Sequence, residues 1–381
     1  MSKTVCEQDR CAGCMACKDM CPVGAIEVVD GLSTMNACIN QDVCTNCGLC
    51  ERVCPQCTAP AVHQDATWYE GWASDDVRMG STSGGAAAAI SRAFVQRGGY
   101  VYSCLFERGR FVFRCTNNVD ELPRFAGSKY VKSNPSGAYA RVRELVSAGN
   151  DVLFIGLPCQ VAAMRNVVPS KHAAHLFTVD LICHGTPSQK VLQLFLQQSG
   201  IQLDALDDIA FRGKPGYSRD GFAKVCPGGA RDEYSVAFSK CLSYTQNCYS
   251  CAYAQRNRVS DLTLGDSWGS TQDAGQRRRG VSLVICSTSA GQRLLDDADL
   301  ALFPVDANNA IAHNTQLRAP ASKPPQRDAF FKAVCEGEPV SKAVRAAYPD
   351  YCKKQDLKSL LEKMHLYTFK QSAIVGIYVK R

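Results

Sequence analysis

Two cysteine runs near the N-terminus constrain this chain more than any other feature. Residues 11–22 and residues 44–55 share the spacing C-x2-C-x2-C-x3-C-P, so one short pattern occurs twice. Thiolates at this spacing wrap three corners of an iron–sulfur cube, and the last cysteine of each run reaches the neighbouring cube. The repeat therefore predicts two metal clusters that exchange one ligand each.

The spacing is that of a bacterial ferredoxin with two [4Fe-4S] clusters. Under the exchange rule, the first cluster has the ligands Cys11, Cys14, Cys17 and Cys54, and the second has Cys21, Cys44, Cys47 and Cys50. A zinc site or a disulfide scaffold is the alternative, but neither explains a 2-2-3 spacing that occurs twice with proline after each last cysteine. Cys6, Cys38 and Cys57 are expected to pack beside the clusters, although one of them could replace an assigned ligand.

Length and cysteine usage indicate the class of protein. At 381 residues the chain is too long for a ferredoxin alone, and two or three domains are expected. Its 22 cysteines follow no secretory signal, which favours metal-bound thiolates in a reducing cytoplasm over disulfides. No apolar run is long enough to span a bilayer.

The formal net charge of +7 does not indicate nucleic-acid binding. That count treats cysteines as neutral, whereas a cubane core with four thiolates is a net two-minus unit. Three such units would bring the loaded protein close to neutrality. The basic run at residues 277–279 has no interleaved aromatic residues and is read as a solvated loop.

The rest of the chain predicts a multidomain protein of the α+β and α/β classes. Residues 1–65 form a two-cluster ferredoxin-like domain, and residues 66–80 read as a linker with aromatic anchors. Residues 81–325 alternate strand, turn and helix, which predicts an α/β domain with a mostly parallel sheet. Residues 326–381 are expected to be a helical tail.

Two buried strands of this domain end in cysteines. The apolar runs 151–156 and 176–182 are followed by Cys159 and Cys183, in turns bounded by glycine and proline. Functional groups of α/β folds collect at the carboxyl ends of strands. These two cysteines are therefore candidates for a site.

A second constellation combines these cysteines with Cys248 and Cys251. A C-x2-C pair is half of a metal site, and Cys159 and Cys183 can complete a third [4Fe-4S] cluster, with Cys241 as a reserve ligand. The alternatives are a zinc ion at the three cysteines from 241 to 251, or structural thiols. The spacing alone leaves these readings open.

Residues 81–85, a Ser-Thr-Ser-Gly-Gly loop, run directly into an alanine-rich helix. Free backbone N–H groups at such a helix start suit a phosphate or pyrophosphate, and an ordinary N-cap is the alternative. His184, beside Cys183, could donate to a cluster sulfide or a flavin oxygen, or could satisfy a loop carbonyl. No Ser-His-Asp order, catalytic carboxylate pair or Walker loop occurs, so a second cofactor would carry any two-electron step.

From about residue 10 to residue 300 the chain resembles the coenzyme F420 hydrogenase/dehydrogenase beta-subunit family, to which plant 7-hydroxymethyl chlorophyll a reductase is related. The matching stretches are the double cysteine run, STSGG (81–85), GSKYV (127–131), LPCQV (157–161), VDLICHGTPS (179–188), IAFR (209–212), CYSC (248–251) and LGDSWG (264–269).

The resemblance implies an FAD in the α/β domain with a [4Fe-4S] cluster close to it. It implies single electrons passing through clusters to the flavin, and hydride exchange with a second substrate, which is coenzyme F420 in methanogen relatives. The residues that it implies as cofactor neighbours are Ser81, Thr82, Ser83, Gly84, Gly85, Lys129, Tyr130, Gln160 and His184.

The resulting hypothesis is a cytoplasmic FAD-dependent iron–sulfur oxidoreductase. Its expected partners are a redox protein, such as a ferredoxin or a hydrogenase or dehydrogenase subunit, and a small hydride donor or acceptor. The sequence is also compatible with a homo-oligomer. Alternatives are an electron-transfer adaptor of a larger complex without its own substrate, or a non-redox zinc and FAD-fold scaffold linked to polysaccharide synthesis.

Overall fold

A computed structural model describes residues 3–213, 221–226, 231–364, 366 and 375–381. The helices in these ranges are α1 (Ala16–Met20), α2 (Leu49–Val53), α3 (Asp75–Met79), α4 (Ala86–Gln96), α5 (Ala138–Ser147), α6 (Pro158–Val167), α7 (Gln189–Gln197), α8 (Glu233–Ser239), α9 (Ala274–Arg279), α10 (Ser289–Asp297), α11 (Ala307–His313), α12 (Arg327–Cys335), α13 (Val340–Ala347) and α14 (Pro349–Lys363). The strands are β1 (Ile26–Asp30), β2 (Met35–Ile39), β3 (Thr67–Ala73), β4 (Tyr100–Glu107), β5 (Arg110–Thr116), β6 (Val152–Gly156), β7 (Leu176–Leu181), β8 (Asp208–Arg212), β9 (Ala223–Lys224), β10 (Leu262–Asp266), β11 (Ser282–Cys286), β12 (Leu300–Pro304) and β13 (Val375–Lys380).

The N-terminal module repeats one backbone conformation in its two cysteine runs. Helices α1 and α2 each follow a residue with positive φ, Met15 at 67° and Gly48 at 70°. Each helix ends at the last cysteine of its run, and Cys21 and Cys54 have nearly equal angles, with φ of −73° and −75°. The antiparallel pair β1 and β2 completes the module. The two cysteine runs therefore share their local backbone conformation as well as their spacing.

The largest sheet in the described chain has eight strands in the order β12-β3-β11-β10-β7-β6-β4-β5. The pairings β4–β6, β6–β7 and β7–β10 are parallel, and the other four are antiparallel. The prediction of a mostly parallel sheet was therefore wrong, and the sheet is mixed. Its antiparallel half includes β3, which comes from the segment expected to be a linker and lies between β11 and β12.

Strand β6 shows how the sheet builds its two faces. Val152 and Phe154 belong to the core on one face, whereas Leu153 and Ile155 belong to the core on the other. All of β6 is buried, as its continuous apolar run predicts. Helices α4 and α10 contribute to one core, while α5, α6 and the N-terminal module contribute to the other.

The N-terminal module is packed into the α/β domain. Its apolar residues share one continuous core with Tyr139, Val161 and Met164. The Asp19 carboxylate accepts a 2.7 Å hydrogen bond from the backbone N–H of Gly137, at the start of α5. The two cysteine runs therefore have a fixed position relative to the sheet.

A third hydrophobic core includes residues near the C-terminal end of the chain. Helices α7, α8, α12 and α13 pack together with β8 and β13. Strand β13 pairs with both β8 and β9, so the predicted helical tail ends in a strand. Among the described residues, no helix is long and apolar enough to cross a membrane.

Candidate iron–sulfur centres and cofactor cleft

The four cysteines assigned to the first cluster line one enclosed cavity. Cys11, Cys14, Cys17 and Cys54 surround this space together with Cys6, Ala12, Met15 and Pro55. All four assigned thiols are buried. The ligand set predicted from the exchange rule, including the distant Cys54, is thus assembled around a single space.

The thiols of this cavity repel one another as thiolates. Burial raises the pKa of Cys14, and the charges of Cys17 and Cys11 raise it further. Burial likewise raises the pKa of Cys17. A cationic iron–sulfur core would remove both penalties because it neutralises the thiolates where they stand. The donor set therefore fits a [4Fe-4S] cluster, whose positive core would let these buried sulfurs be thiolates.

Cys6 is a fifth thiol in the same cavity. Its thiol lies within hydrogen-bond reach of both Cys11 and Cys54, and this contact lowers the pKa of Cys54 to about 6. Cys57 also lies beside Cys54, and its thiol donates to the carbonyl of Val5 at 3.3 Å. The positions of Cys6 and Cys57 agree with the expectation of residues that pack beside the cluster.

The second set of cysteines lies at the surface. Cys47 is exposed, and Cys21, Cys44 and Cys50 are half-buried. The backbone N–H of Ala25 donates to the sulfur of Cys21 at 3.2 Å, and hydrogen bonds of this kind stabilise a thiolate ligand. Of the two N-terminal sites, this one is open to another protein.

The third candidate site assembles from three parts of the chain. Cys159 is in the first turn of α6, directly after β6, and Cys183 follows β7. Burial raises the pKa of Cys183, and Cys248, Cys159 and Cys251 raise it further, so the four thiols are electrostatic neighbours. The structure therefore brings together the four cysteines that we predicted.

The zinc alternative at residues 241–251 has less support. Cys241 forms a side-chain hydrogen bond with Tyr244, and the charges of Cys248, Cys159 and Cys251, not of Cys241, raise the pKa of Cys183. In the part of the chain that the structure describes, no group of three Cys, His, Asp or Glu side chains is close enough to hold a single metal ion. A cubane is wider than one ion, and its ligands stand correspondingly further apart.

A buried ion pair positions the loop of Cys251. The guanidinium group of Arg258 is 3.0 Å from Asp180, and both side chains are almost fully buried, at 2% and 0% exposed. Arg258 also donates to the carbonyl of Tyr253 at 2.7 Å. Since Asp180 lies in β7, this network ties the cysteine pair to the strand that leads to Cys183.

Two buried tyrosines connect the first site with the third. Burial raises the pKa of Tyr139, and the nearby Cys14 and Cys159 add to this effect. The same two cysteines act on Tyr253, whose hydroxyl donates to the carbonyl of Pro55 at 2.8 Å. Both tyrosines are therefore buried near a cysteine of the first site and a cysteine of the third.

A polar cleft is lined by residues of three other segments of the chain. Its walls are formed by Thr82, by residues 124–129 without Phe125, and by residues 208–212. Arg212 lines this cleft with a side chain that is 9% exposed, and its guanidinium group forms a 2.7 Å ion pair with Asp266. Burial opposes the charge of Arg212, but Asp266 and Tyr130 outweigh it and raise the pKa of the guanidinium group. The cleft thus keeps a permanent cation.

Of the predicted Ser-Thr-Ser-Gly-Gly loop, Thr82 lines the cleft. Its hydroxyl accepts from the backbone N–H of Ser128 at 3.0 Å. Ser81 and Ser83 donate their hydroxyl groups to backbone carbonyls, and a side chain at Gly84 would collide with the carbonyl oxygen of Gly71. The loop therefore also serves to seat α4 against β3 and β11.

The other predicted cofactor neighbours differ in their surroundings. Lys129 lines the cleft, and its ammonium group donates to the carbonyl of Phe125 at 2.6 Å. Tyr130 stacks on Phe238, with ring centroids 4.3 Å apart. Gln160 is buried and its amide binds the backbone N–H of Leu157 and the hydroxyl of Ser133, so it supports the start of α6.

His184 stands between the third site and the cleft. It follows Cys183 in sequence, and Asp266 and Arg212 are its electrostatic neighbours. Burial lowers the pKa of His184, which favours the neutral imidazole. His184 is therefore next to a proposed cluster ligand in sequence and near the Arg212 cation of the cleft.

Sequence reasoning did not single out Arg212 or Tyr253 as functional residues. Arg212 lies within the IAFR stretch that carries the resemblance. Its ion-pair partner Asp266 is 54 residues away, so no local sequence pattern indicates the pair. Tyr253 is two residues beyond Cys251, which is the sole local signal of its position.

Comparisons with known proteins agree with this arrangement. Residues 149–303 match the family model for the C terminus of the coenzyme F420 hydrogenase/dehydrogenase beta subunit, and residues 10–57 match the 4Fe-4S dicluster domain. A search of curated proteins gave no significant match.

Among solved structures, the chain is similar to a chain from the F420-reducing [NiFe] hydrogenase complex of Methanosarcina barkeri, studied as a xenon derivative. The TM-score is 0.44 at 16% sequence identity, over 73% of this chain and 94% of the other. The chain combines an N-terminal 4Fe-4S dicluster domain with a mixed α/β domain, and residues 149–303 of the latter match the C-terminal domain of the coenzyme F420 hydrogenase/dehydrogenase beta-subunit family, in agreement with the resemblance of its sequence motifs.

Proposed function

We propose that this protein is an iron–sulfur flavoprotein oxidoreductase. The dicluster domain would receive or deliver single electrons through the exposed site. Cys159, Cys183, Cys248 and Cys251 would hold a third [4Fe-4S] cluster, and FAD would bind in the cleft beside it. Flavin joins one-electron carriers to a two-electron substrate by hydride exchange, and that substrate would be coenzyme F420 or another small acceptor.

The observation that carries this proposal is the order of the sites. The Cys47 side chain is exposed, whereas Cys11 and Cys14 are buried. The buried Tyr139 ring lies near both Cys14 and Cys159. Beyond Cys183, His184 leads to the cleft that contains Arg212. An electron route needs redox groups in short succession and shielded from water, and this arrangement supports one.

The residues of the cleft suit an anionic cofactor. Arg212 supplies a fixed positive charge, held by its ion pair with Asp266. Guanidinium groups are common partners of phosphate oxygens. The Thr82 hydroxyl, at the rim of the cleft, adds a neutral polar contact.

The test is purification without oxygen, followed by iron and flavin analysis of the full chain. We expect about twelve iron atoms and one FAD, because each cubane holds four iron atoms. A content of about eight iron atoms would show that the third cluster is absent. A content of about four or fewer, or a lack of flavin, would overturn the proposal. Bleaching of the coenzyme F420 absorbance with an active donor tests the substrate, and its absence would reject that branch.

A second candidate function is an electron-transfer adaptor in a larger dehydrogenase or hydrogenase complex. Apolar side chains at the surface beside the second site favour a protein partner: Val23 is 43% exposed and Val43 is 47% exposed. Both residues are next to or near a proposed ligand, Cys21 and Cys44. A reducible flavin that no soluble hydride donor or acceptor reaches would support this function over the first.

A further inference from the structure

Lys132 is a buried cation between the first cysteine site and the third. The residue is 8% exposed, and its ammonium group donates to the carbonyl of Ala12 at 3.0 Å, inside the first cysteine run. Its backbone N–H donates to the carbonyl of Pro187 at 2.8 Å, four residues after Cys183. One residue therefore touches the loops of both sites.

The segment that carries Lys132 is held in place on either side. The Ser133 hydroxyl accepts from the Gln160 amide at 3.0 Å, next to Cys159. The backbone N–H of Asn134 donates to the carbonyl of Phe111 at 2.7 Å. The side chain packs against Gly13 of the first cysteine run, where an added Cβ would lie 3.0 Å from the Lys132 Cδ.

No carboxylate in the described ranges forms an ion pair with Lys132. A buried ammonium group that has a single carbonyl partner is costly unless an anion stands nearby. Proposed ligands adjoin the contacts of this segment: Ala12, whose carbonyl accepts from the ammonium group, follows Cys11, and Gln160, which donates to Ser133, follows Cys159. A cubane with four thiolates carries two negative charges, so loading the two sites would supply the missing counter-charge on both sides of the ammonium group.

We infer that Lys132 sets the reduction potentials of the first and third clusters together. This inference rests on the third cluster of the proposed function. Reduction adds a negative charge to a cluster, and a nearby buried cation stabilises the reduced form, which raises the potential. The exposed cluster at Cys47 lies outside this contact. Lys132 therefore favours electron movement from the surface to the two inner clusters.

The test compares Lys132→Met and Lys132→Arg in the full chain, prepared without oxygen, by redox titration followed by EPR. The signal of the exposed cluster is first assigned by its loss in Cys47→Ser. In Lys132→Met we expect the reduction potentials of the two inner clusters to fall by about 59 mV or more. For a one-electron couple, this corresponds to a tenfold or larger change in the reduction equilibrium constant. The exposed cluster and Lys132→Arg should keep the wild-type potentials.

An equal shift of all three clusters, or no shift of either inner cluster, would overturn the inference. Lys132→Gln provides a second uncharged variant if Lys132→Met does not load its clusters. Iron analysis of the wild-type chain separates this result from the proposed function. A content of about eight iron atoms would show that the third cluster is absent, and a shift in the potential of the first cluster would then be the expected outcome.

Discussion

The hydroxyl group of Tyr253 donates a hydrogen bond of 2.8 Å to the carbonyl of Pro55, and thereby joins the loop of Cys251 to the residue after Cys54. Tyr253 is buried, at 4% exposed, within the core that both modules share. The dicluster domain is therefore an integral part of the fold, and the distance between its inner site and the α/β domain is set by direct contact.

Replacing Tyr253 with phenylalanine removes this hydrogen bond and keeps the ring. We expect the free energy of unfolding to fall by about 1 kcal/mol, with the iron content unchanged. Tyr351→Phe is the control, because that ring lies beside Lys240 near the surface. Denaturant unfolding without oxygen measures both variants, and equal stability of the two would show that the contact with Pro55 contributes nothing.

Replacing single cysteines should separate the electron inlet from the flavin domain. We expect Cys14→Ser to lose the first cluster, about four iron atoms, and to keep FAD, because Cys14 lies away from the cleft. Cys159→Ser or Cys183→Ser should lose the third cluster and weaken flavin binding. Cys335→Ser, at an exposed position, is the control. Complete loss of flavin from Cys14→Ser would contradict this division of roles.

The ion pair between Arg258 and Asp180 is predicted to dominate the stability of the third site. Arg258→Met leaves a buried carboxylate without its partner, which costs about 3–5 kcal/mol. Unfolding curves measure this loss, with the exposed Arg278→Met as control. The double variant Asp180→Leu with Arg258→Met should recover much of it, because no buried charge is left unpaired. A single variant as stable as the control would refute the prediction.

The pH dependence of stability should include a contribution from His63. Burial and Arg165, whose guanidinium group is 3.2 Å away, lower the pKa of His63 below its ordinary value of 6.5. As the pH falls through 6.5, the unfolded chain gains a proton that the folded chain resists, so stability decreases.

In His63→Asn this loss should be smaller than in the wild type between about pH 8 and pH 6. The measurement is the free energy of unfolding at both pH values, with His172→Asn as control. An identical pH dependence in His63→Asn and the wild type would rule out this contribution.

Much of the candidate site follows from local sequence. The spacing of the two cysteine runs predicts an exchange of one ligand between them, and the distant Cys54 lines the same cavity as Cys11, Cys14 and Cys17. Apolar runs predicted a buried strand before each of Cys159 and Cys183, and the structure has β6 and β7 there, adjacent and parallel. These strands could be predicted because a short continuous apolar run is the local signal of a buried strand.

The direction of the strands was harder to predict. Residues 66–80 contain three aromatic residues and looked like a linker, yet β3 pairs in antiparallel fashion with β11 and β12. Whether such a segment enters a sheet depends on which distant strand offers free N–H and C=O groups. In this chain those partners lie about two hundred residues further on, and no local pattern records them.

The sequence by itself determined the dicluster motif, which is eight cysteines in ferredoxin order, and left the role of the further four cysteines open. The tertiary structure alone decided what stands between these centres. Lys132, Tyr139 and Tyr253 come from separate segments and meet between the first and third sites because the dicluster domain shares a core with the sheet. Ligand spacing is a local property of the chain, whereas a buried charge between two loops exists only after distant segments have packed.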